Sequence, residues 1–292
     1  MNTQILFKKI WGKVNPLRYW DLLISPMRDD DELIMQNIDF PQQLSEKLCI
    51  FSSFNKKEVV SKSVYFQLKA LQKEGFNIIF VSTSKLPTED IETLGEFCSK
   101  VVIKQNEGYD WGAYLTGIRL GDIENRNQLL LINDSIYGPL FPLSQVFSQM
   151  SEKGFGCWGI TDSYEKKYHL QSYFLCLNSN LLHSVTFKSF CDNFIFYSNR
   201  LNVIKKYELG FSQYLIKNAF KLGAYIPYKK ICWPPDKKKL NQTHFFWKEL
   251  IINHRMPFIK KDLLLKNPMR VKNHSEWRQI IQNHTEFDIT LI

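Results

Sequence analysis

From residue 48 onward, short apolar runs alternate with stretches of helical period. Cys49-Ile50-Phe51 has the composition of a buried strand. Residues 59–74 set Val60, Val64, Leu68 and Leu71 on one face of a helix, and Gly75 ends it. Asn77-Ile78-Ile79-Phe80-Val81-Ser82 reads as a second strand. Residues 88–98 form a second helix, whose first turn carries Thr88, Asp90 and Glu92 where the helix dipole favours them. A third strand at 100–104, a third helix at 112–120 and a fourth strand at 129–132 continue the alternation. The pattern predicts an α/β fold with a mostly parallel sheet flanked by helices. Open sheets of this class bind ligands beyond the carboxyl ends of their strands.

After residue 150 the pattern loosens. Residues 155–160 and 172–177 read as strands, 180–193 and 208–222 as helices, and Pro, Lys and aromatic residues crowd the stretch after Trp233. At the other end, residues 1–25 space Ile5, Phe7, Ile10, Trp11 and Trp20 among Lys8, Lys9, Lys13 and Arg18. That spacing suits a short amphipathic helix stopped near Asn15-Pro16. Such a helix lies on anionic lipid or packs on the domain's own surface.

Composition removes several classes. With 44% hydrophobic and 14% aromatic residues over 292 positions, the chain can bury a large core. No apolar run reaches the length of a bilayer span, and the start lacks the pattern of a secretory signal. Six scattered cysteines without a CxxC pair are expected to be reduced, as in a cytoplasmic protein, and no short Cys/His spacing suggests zinc. A GxGxxG turn, a Walker A loop and a Gly-x-Ser-x-Gly elbow are all missing, which argues against dinucleotide dehydrogenases, P-loop nucleotidases and serine hydrolases. The net charge is +9 and uneven, with 18 basic and 7 acidic side chains in residues 200–292. A polyanionic partner follows from that excess. The basic residues form no helical stripe and no known nucleic-acid motif, so no nucleic-acid partner is expected.

Three polar loops follow the predicted strands and should meet on one rim. They are Ser52-Ser53-Phe54-Asn55, the stretch from Asn106 to Gly112, and the stretch from Asn133 to Pro139. Gly108 and Gly112 allow a sharp turn and a close backbone approach. Asp110 and Asn106 can hydrogen-bond a sugar or a base. Asp134 ends an apolar strand, where a buried carboxylate needs a partner such as a cation or a sugar hydroxyl. Ordinary turn chemistry would explain any one of these loops. Two on one rim point to a binding site.

Several blocks carry a resemblance. They are Asn106-Glu107-Gly108-Tyr109-Asp110-Trp111-Gly112, Leu131-Ile132-Asn133-Asp134-Ser135-Ile136-Tyr137-Gly138-Pro139, and Trp158-Gly159-Ile160-Thr161-Asp162-Ser163. His169-Leu170-Gln171-Ser172-Tyr173, Tyr207-Glu208-Leu209-Gly210-Phe211 and Pro257-Phe258-Ile259-Lys260-Lys261 follow in order. Together they resemble the rhamnan-synthesis protein F family over about residues 48 to 282. The resemblance implies a GT-A-like, Rossmann-related glycosyltransferase of bacterial surface polysaccharide assembly. It also implies an N-terminal extension, 1–45, before one domain, 46–285, with a nucleotide-sugar half (46–140) and an acceptor half (141–285).

By that resemblance, the donor would be a nucleotide sugar such as dTDP-L-rhamnose. Ser52, Phe54, Asn55, Asn106, Gly108, Asp110, Gly112, Asn133 and Asp134 would bind it. Asn133-Asp134-Ser135 stands where such folds place Asp-x-Asp, so a Mg²⁺ or Mn²⁺ ion would rest on Asp134 alone. An inverting transfer needs a carboxylate base. Glu208, expected at a helix start, is the first candidate and Asp162 the second. His169, Gln171 and Tyr173 would hold acceptor hydroxyls. The acceptor would be a lipid-linked glycan or growing polysaccharide. The protein would then work in the bacterial cytoplasm, peripheral on the anionic inner face of the membrane. Lys205-Lys206, Lys229-Lys230, Lys237-Lys238-Lys239 and Lys260-Lys261 would form one docking face. The alternative is a non-catalytic sugar-binding module of an assembly complex.

Overall fold

The computed structural model describes residues 30–232 and 240–292. The amphipathic segment expected over 1–25 and the Lys237-Lys238-Lys239 run lie outside the described residues. The strands are β1 (Ile34–Asp39), β2 (Lys47–Ser53), β3 (Phe76–Ser82), β4 (Lys100–Lys104), β5 (Gln128–Asn133), β6 (Ile136–Tyr137), β7 (Cys157–Ser163), β8 (His169–Leu170), β9 (Phe174–Asn178), β10 (Leu222–Ile226) and β11 (Ile259–Lys260). The main sheet has the order β1-β4-β3-β2-β5-β9-β7-β10, with β8 paired to β7 off this path. Strands β4, β3, β2 and β5 run parallel to one another, as do β7 and β10. Strand β9 inserts antiparallel between β5 and β7, and β1 closes the edge antiparallel to β4.

The near-continuous apolar runs of β2, β3 and β5 reflect burial on both faces. Alternate residues divide between two clusters. Cys49, Phe51, Ile78 and Phe80 face one, and Leu48, Ile50, Ile79 and Val81 face the other. The Lys62–Lys73 helix lays Val64, Leu68 and Leu71 on the first cluster. The Tyr109–Leu120 helix lays Trp111, Tyr114 and Leu115 on the second. Each such burial stabilises by about 1.5–3 kcal/mol before the entropy of ordering is set against it.

Register brings the functional ends together. Ser52 of β2 lies beside Asn133 of β5, and the backbone N–H of Asp134 donates to the Ser52 carbonyl at 3.1 Å. A two-stranded ribbon then doubles over this end. Strand β11 pairs antiparallel with β6, with Lys260 opposite Ile136, and the Lys261 N–H donates to the Ser135 carbonyl at 2.9 Å. Gly138 makes the close approach possible. Its φ is +135°, and a Cβ there would lie 2.4 Å from the Pro257 carbonyl oxygen.

The edge of the sheet and the second half depart from the sequence expectations in informative ways. Residues Ile34–Asp39, expected in the N-terminal extension, are the edge strand of the sheet. The helix expected over 180–193 is two helices, Ser179–Leu182 and Val185–Asp192, because Ser184 caps the second by accepting from Phe187 N–H at 3.1 Å. Helical turns run from Arg200 to Lys217, with a π turn at Ile204–Glu208, so Glu208 lies inside a helical stretch rather than at its start. Leu222 belongs to β10. Strand β7 continues through Thr161, Asp162 and Ser163, whose polar side chains are buried.

Candidate active site

The rim formed by β2, β5 and the start of the Tyr109–Leu120 helix holds a connected set of polar groups. Asp110 stands in the first turn of that helix, where the dipole favours a negative charge. Its Oδ1 accepts from Ser52 Oγ at 3.0 Å and its Oδ2 accepts from Asn133 Nδ2 at 3.0 Å. Asp134 Oδ2 accepts from Ser53 Oγ at 2.9 Å and from Phe54 N–H at 3.2 Å. Asn133 Oδ1 accepts from both the N–H (3.1 Å) and the Oγ (2.5 Å) of Ser135.

The ribbon adds two ammonium groups. Lys260 Nζ donates to Ser135 Oγ at 3.3 Å and sits 4.0 Å from the centroid of the Tyr173 ring. Lys261 Nζ lies 5.0 Å from the Tyr137 ring centroid. Both lysines are half-buried. Read from sequence as part of a membrane-docking face, they lie instead at the rim, because Lys260 pairs with Ile136 of β6 and the Lys261 N–H is tied to the Ser135 carbonyl.

Burial shifts the carboxyl and ammonium groups of this set, and neighbouring charges modify the shifts. Burial pushes the Asp110 carboxyl up to about 6; the Asp134 charge adds to the rise, and Ser52 and Lys260 oppose it. Burial also raises Asp134, against the pull of Lys261. Burial lowers Lys260, while Asp262, Glu208 and Asp110 hold its proton. Lys261 is lowered by burial and steadied by Asp134. Glu208, half-buried in the π turn, is thus within electrostatic reach of both Asp110 and Lys260. Asp262 connects onward to His244, whose Nε2 lies 3.2 Å from its Oδ1.

The other expected residues fall elsewhere. Asp162 lies in a neighbouring polar group at the end of β7, where its Oδ1 accepts from Tyr228 N–H at 2.6 Å and burial raises its pKa. His169 stands opposite Ser163 in the β7–β8 pair, with Nδ1 2.9 Å from the Lys167 carbonyl. Gln171 Oε1 accepts from Thr161 Oγ1 at 2.5 Å, and that hydroxyl is 2.8 Å from the Tyr173 hydroxyl. This buried chain joins the two groups and leaves the Tyr173 ring as the platform under Lys260. Asn55 closes its own loop, with Nδ2 on the Val59 carbonyl and Oδ1 on Lys57 N–H. Phe54 is exposed beside Asp134, and Asn106 is exposed in the loop before the helix. The close approach that Gly108 and Gly112 permit is internal: a Cβ on Gly112 would lie 2.1 Å from the Glu107 carbonyl oxygen. Trp111 and Trp158 are core residues among aromatic rings.

The donor set suits a divalent ion poorly. Such an ion needs several free oxygen ligands. Both Asp110 oxygens, Asn133 Oδ1 and Asp134 Oδ2 already accept hydrogen bonds. Two ammonium groups adjoin them. Among the described residues, no three His, Cys, Asp or Glu side chains gather to ligate an ion.

Sequence reasoning placed Ser53 and Ser135 in the converging loops without singling them out, and did not bring Lys260 and Lys261 to this set. The signal for the lysines was the apolar Pro257-Phe258-Ile259 run just before them, which requires that segment to be buried.

Comparison with known proteins adds the following. The chain is 29% identical over 231 residues to virulence protein VirA of Vibrio anguillarum, covering 64% of this chain and 74% of that one. It is 26% identical over 156 residues to the uncharacterized protein y4gN of Sinorhizobium fredii, covering 51% and 40%. Among solved structures, a putative nucleotide-diphospho-sugar transferase from Desulfovibrio desulfuricans shares 11% identity and a TM-score of 0.41, over 82% of this chain and 99% of that one. The glycosyltransferase GlyE of Streptococcus pneumoniae shares 10% identity and a TM-score of 0.43, over 84% and 62%. Likenesses this distant carry no residue assignment. The family model described as rhamnan synthesis protein F matches residues 78–292, which include β5, the helix that carries Asp110, the ribbon and the helix that carries Glu208 but not β2, and the chain therefore belongs to the rhamnan synthesis protein F family.

Proposed function

We propose that the protein is a GT-A-type glycosyltransferase that moves a sugar from a nucleotide-sugar donor to a polysaccharide or lipid-linked glycan acceptor. One observation carries the reading. At the carboxyl ends of β2 and β5, the Asp110–Asp134 pair is held by Ser52, Ser53 and Asn133 and faced by Lys260 and Lys261. Carboxylates suit sugar hydroxyls, and ammonium groups suit a diphosphate. The family's name supports a rhamnosyl donor such as dTDP-L-rhamnose.

In an inverting transfer, a carboxylate removes the acceptor hydroxyl's proton. The oxygen then forms a bond to the anomeric carbon on the face opposite the diphosphate. The bond from that carbon to the diphosphate oxygen breaks, and its electron pair leaves with the nucleoside diphosphate. Glu208 is the base in this reading, because it stands next to the charged rim without being locked into a backbone contact as Asp162 is. Asp110 and Asp134 orient the donor, Phe54 offers an exposed ring to the nucleotide base, and Tyr173 steadies Lys260.

No helix among the described residues is long and apolar enough to cross a membrane. Peripheral association through the exposed Lys205, Lys206, Lys229 and Lys230 is part of the proposal. The experiment is a donor screen. Nucleotide sugars, dTDP-L-rhamnose included, are offered to the purified chain and followed by thermal shift. Stabilisation by one nucleotide sugar and its parent diphosphate supports the reading. Indifference to the whole panel overturns it in favour of a module without a donor site.

A further inference from the structure

We infer that Lys260 and Lys261, rather than a divalent cation, supply the positive charge that receives the donor's diphosphate. The inference rests on the nucleotide-sugar reading above and specifies its charge chemistry.

Three observations carry it. The first is placement. Pairing with β6 and the Lys261–Ser135 backbone bond aim two consecutive lysines at the ends of β2 and β5, where a donor would lie across the sheet. Consecutive strand residues normally point to opposite faces. Here the strand ends at Lys260 and a short helix begins at Lys261, so both side chains serve one rim.

The second is that neither ammonium is held in a contact ion pair, although carboxylates lie within electrostatic reach of both. Among the described residues, no carboxylate lies within ion-pair distance of either ammonium. Lys260 has a neutral hydroxyl and an aromatic face, and Lys261 has an aromatic face. Both are partly desolvated, a cost for a cation that an anion in direct contact would offset. A sugar diphosphate ester carries about two negative charges near neutral pH, matching the two ammonium groups, and its departing diphosphate gains a further one.

The third is the donor set already described. Both Asp110 oxygens, Asp134 Oδ2 and Asn133 Oδ1 accept protein hydrogen bonds, so a hard cation would have to compete with them for ligands. Asp134 then has a different task from that of an ion ligand: it lies within electrostatic reach of Lys261 and keeps that group protonated.

The test is binding of dTDP, UDP and GDP to the full chain, measured by titration calorimetry with excess EDTA and again with millimolar Mg²⁺ or Mn²⁺. Thymidine serves as the probe without phosphate. The expected result is that one diphosphate binds equally well, within about twofold, in chelator and in metal. Lys260→Met and Lys261→Met should each weaken that diphosphate about tenfold or more and leave thymidine unchanged. The arginine versions, which keep the charge, should recover most of the loss and show that the fold persists. The inference is overturned if the diphosphate binds only with metal, or if the double methionine variant binds it as tightly as the wild type. Failure of every diphosphate to bind the wild type would instead remove the nucleotide-sugar reading itself.

Discussion

Asn133 and Asp110 are tied side chain to side chain: Asn133 Nδ2 donates to Asp110 Oδ2 at 3.0 Å. The bond joins the end of β5 to the first turn of the Tyr109–Leu120 helix. A second bond, from Ser52, ties the same carboxylate to β2. Asp110 is therefore fixed among three elements, buried, and within electrostatic reach of a second carboxylate, Asp134, at a cost in stability.

That cost has a pH signature. Asp110 has a folded pKa of about 6, above its ordinary value. Its contribution to stability is fully present below the unfolded pKa and is lost as pH rises through about 6. Asp110→Asn keeps an acceptor for Asn133 and a donor toward Ser52 Oγ. The variant should be more stable than the wild type at pH 7.5, by about 1–2 kcal/mol, and no more stable at pH 4. Urea unfolding at the two pH values checks this. An equal difference at both would mean that the carboxylate's charge is not the cause.

Gly138 governs the ribbon that carries the lysines. Gly138→Ala would place a Cβ 2.4 Å from the Pro257 carbonyl oxygen at a φ of +135°. The expected loss is about 2–4 kcal/mol of stability, together with weaker nucleotide binding from a displaced Lys260. Gly154 is the control. It also has a positive φ, +63°, but a Cβ there meets nothing within 4 Å, so Gly154→Ala should cost about 1 kcal/mol and leave binding unchanged.

The two candidate carboxylates should fail in different ways. Glu208→Gln removes a base and should lower kcat by about 10²–10⁴ while donor affinity stays within about twofold. Asp162→Ala strips the acceptor from the buried Tyr228 N–H. It should lower stability by about 1–3 kcal/mol. Comparing kcat, donor affinity and the unfolding midpoint for the two variants separates a chemical role from a structural one.

The first four central strands and the converging loops were legible in the sequence, because apolar runs such as Leu129 to Ile132 end in residues that can serve only as turns or as site groups. The direction of β9 was not, since an apolar run carries no sign of whether it runs parallel or antiparallel. Edge strand β1 was hidden because its exposed face reads as polar linker. The position of Glu208 at a helix start, expected from the sequence, gives way to a π turn inside a longer helical stretch, since such a turn leaves no capping signal. The lysines were the largest gap. Lys260 meets Ser135 across 125 residues of chain, and a Lys-Lys pair ordinarily marks solvated surface. Only the tertiary ribbon turns it inward.

The decisive measurement is release of nucleoside diphosphate from a nucleotide sugar, with rhamnose-containing glycan as acceptor, by the wild type and by Glu208→Gln side by side. The expected result is acceptor-dependent release by the wild type from at least one donor, reduced by about a hundredfold or more in Glu208→Gln with donor binding intact. Absence of release from any donor, or equal release by both proteins, would contradict the assignment of a glycosyltransferase with Glu208 as its base.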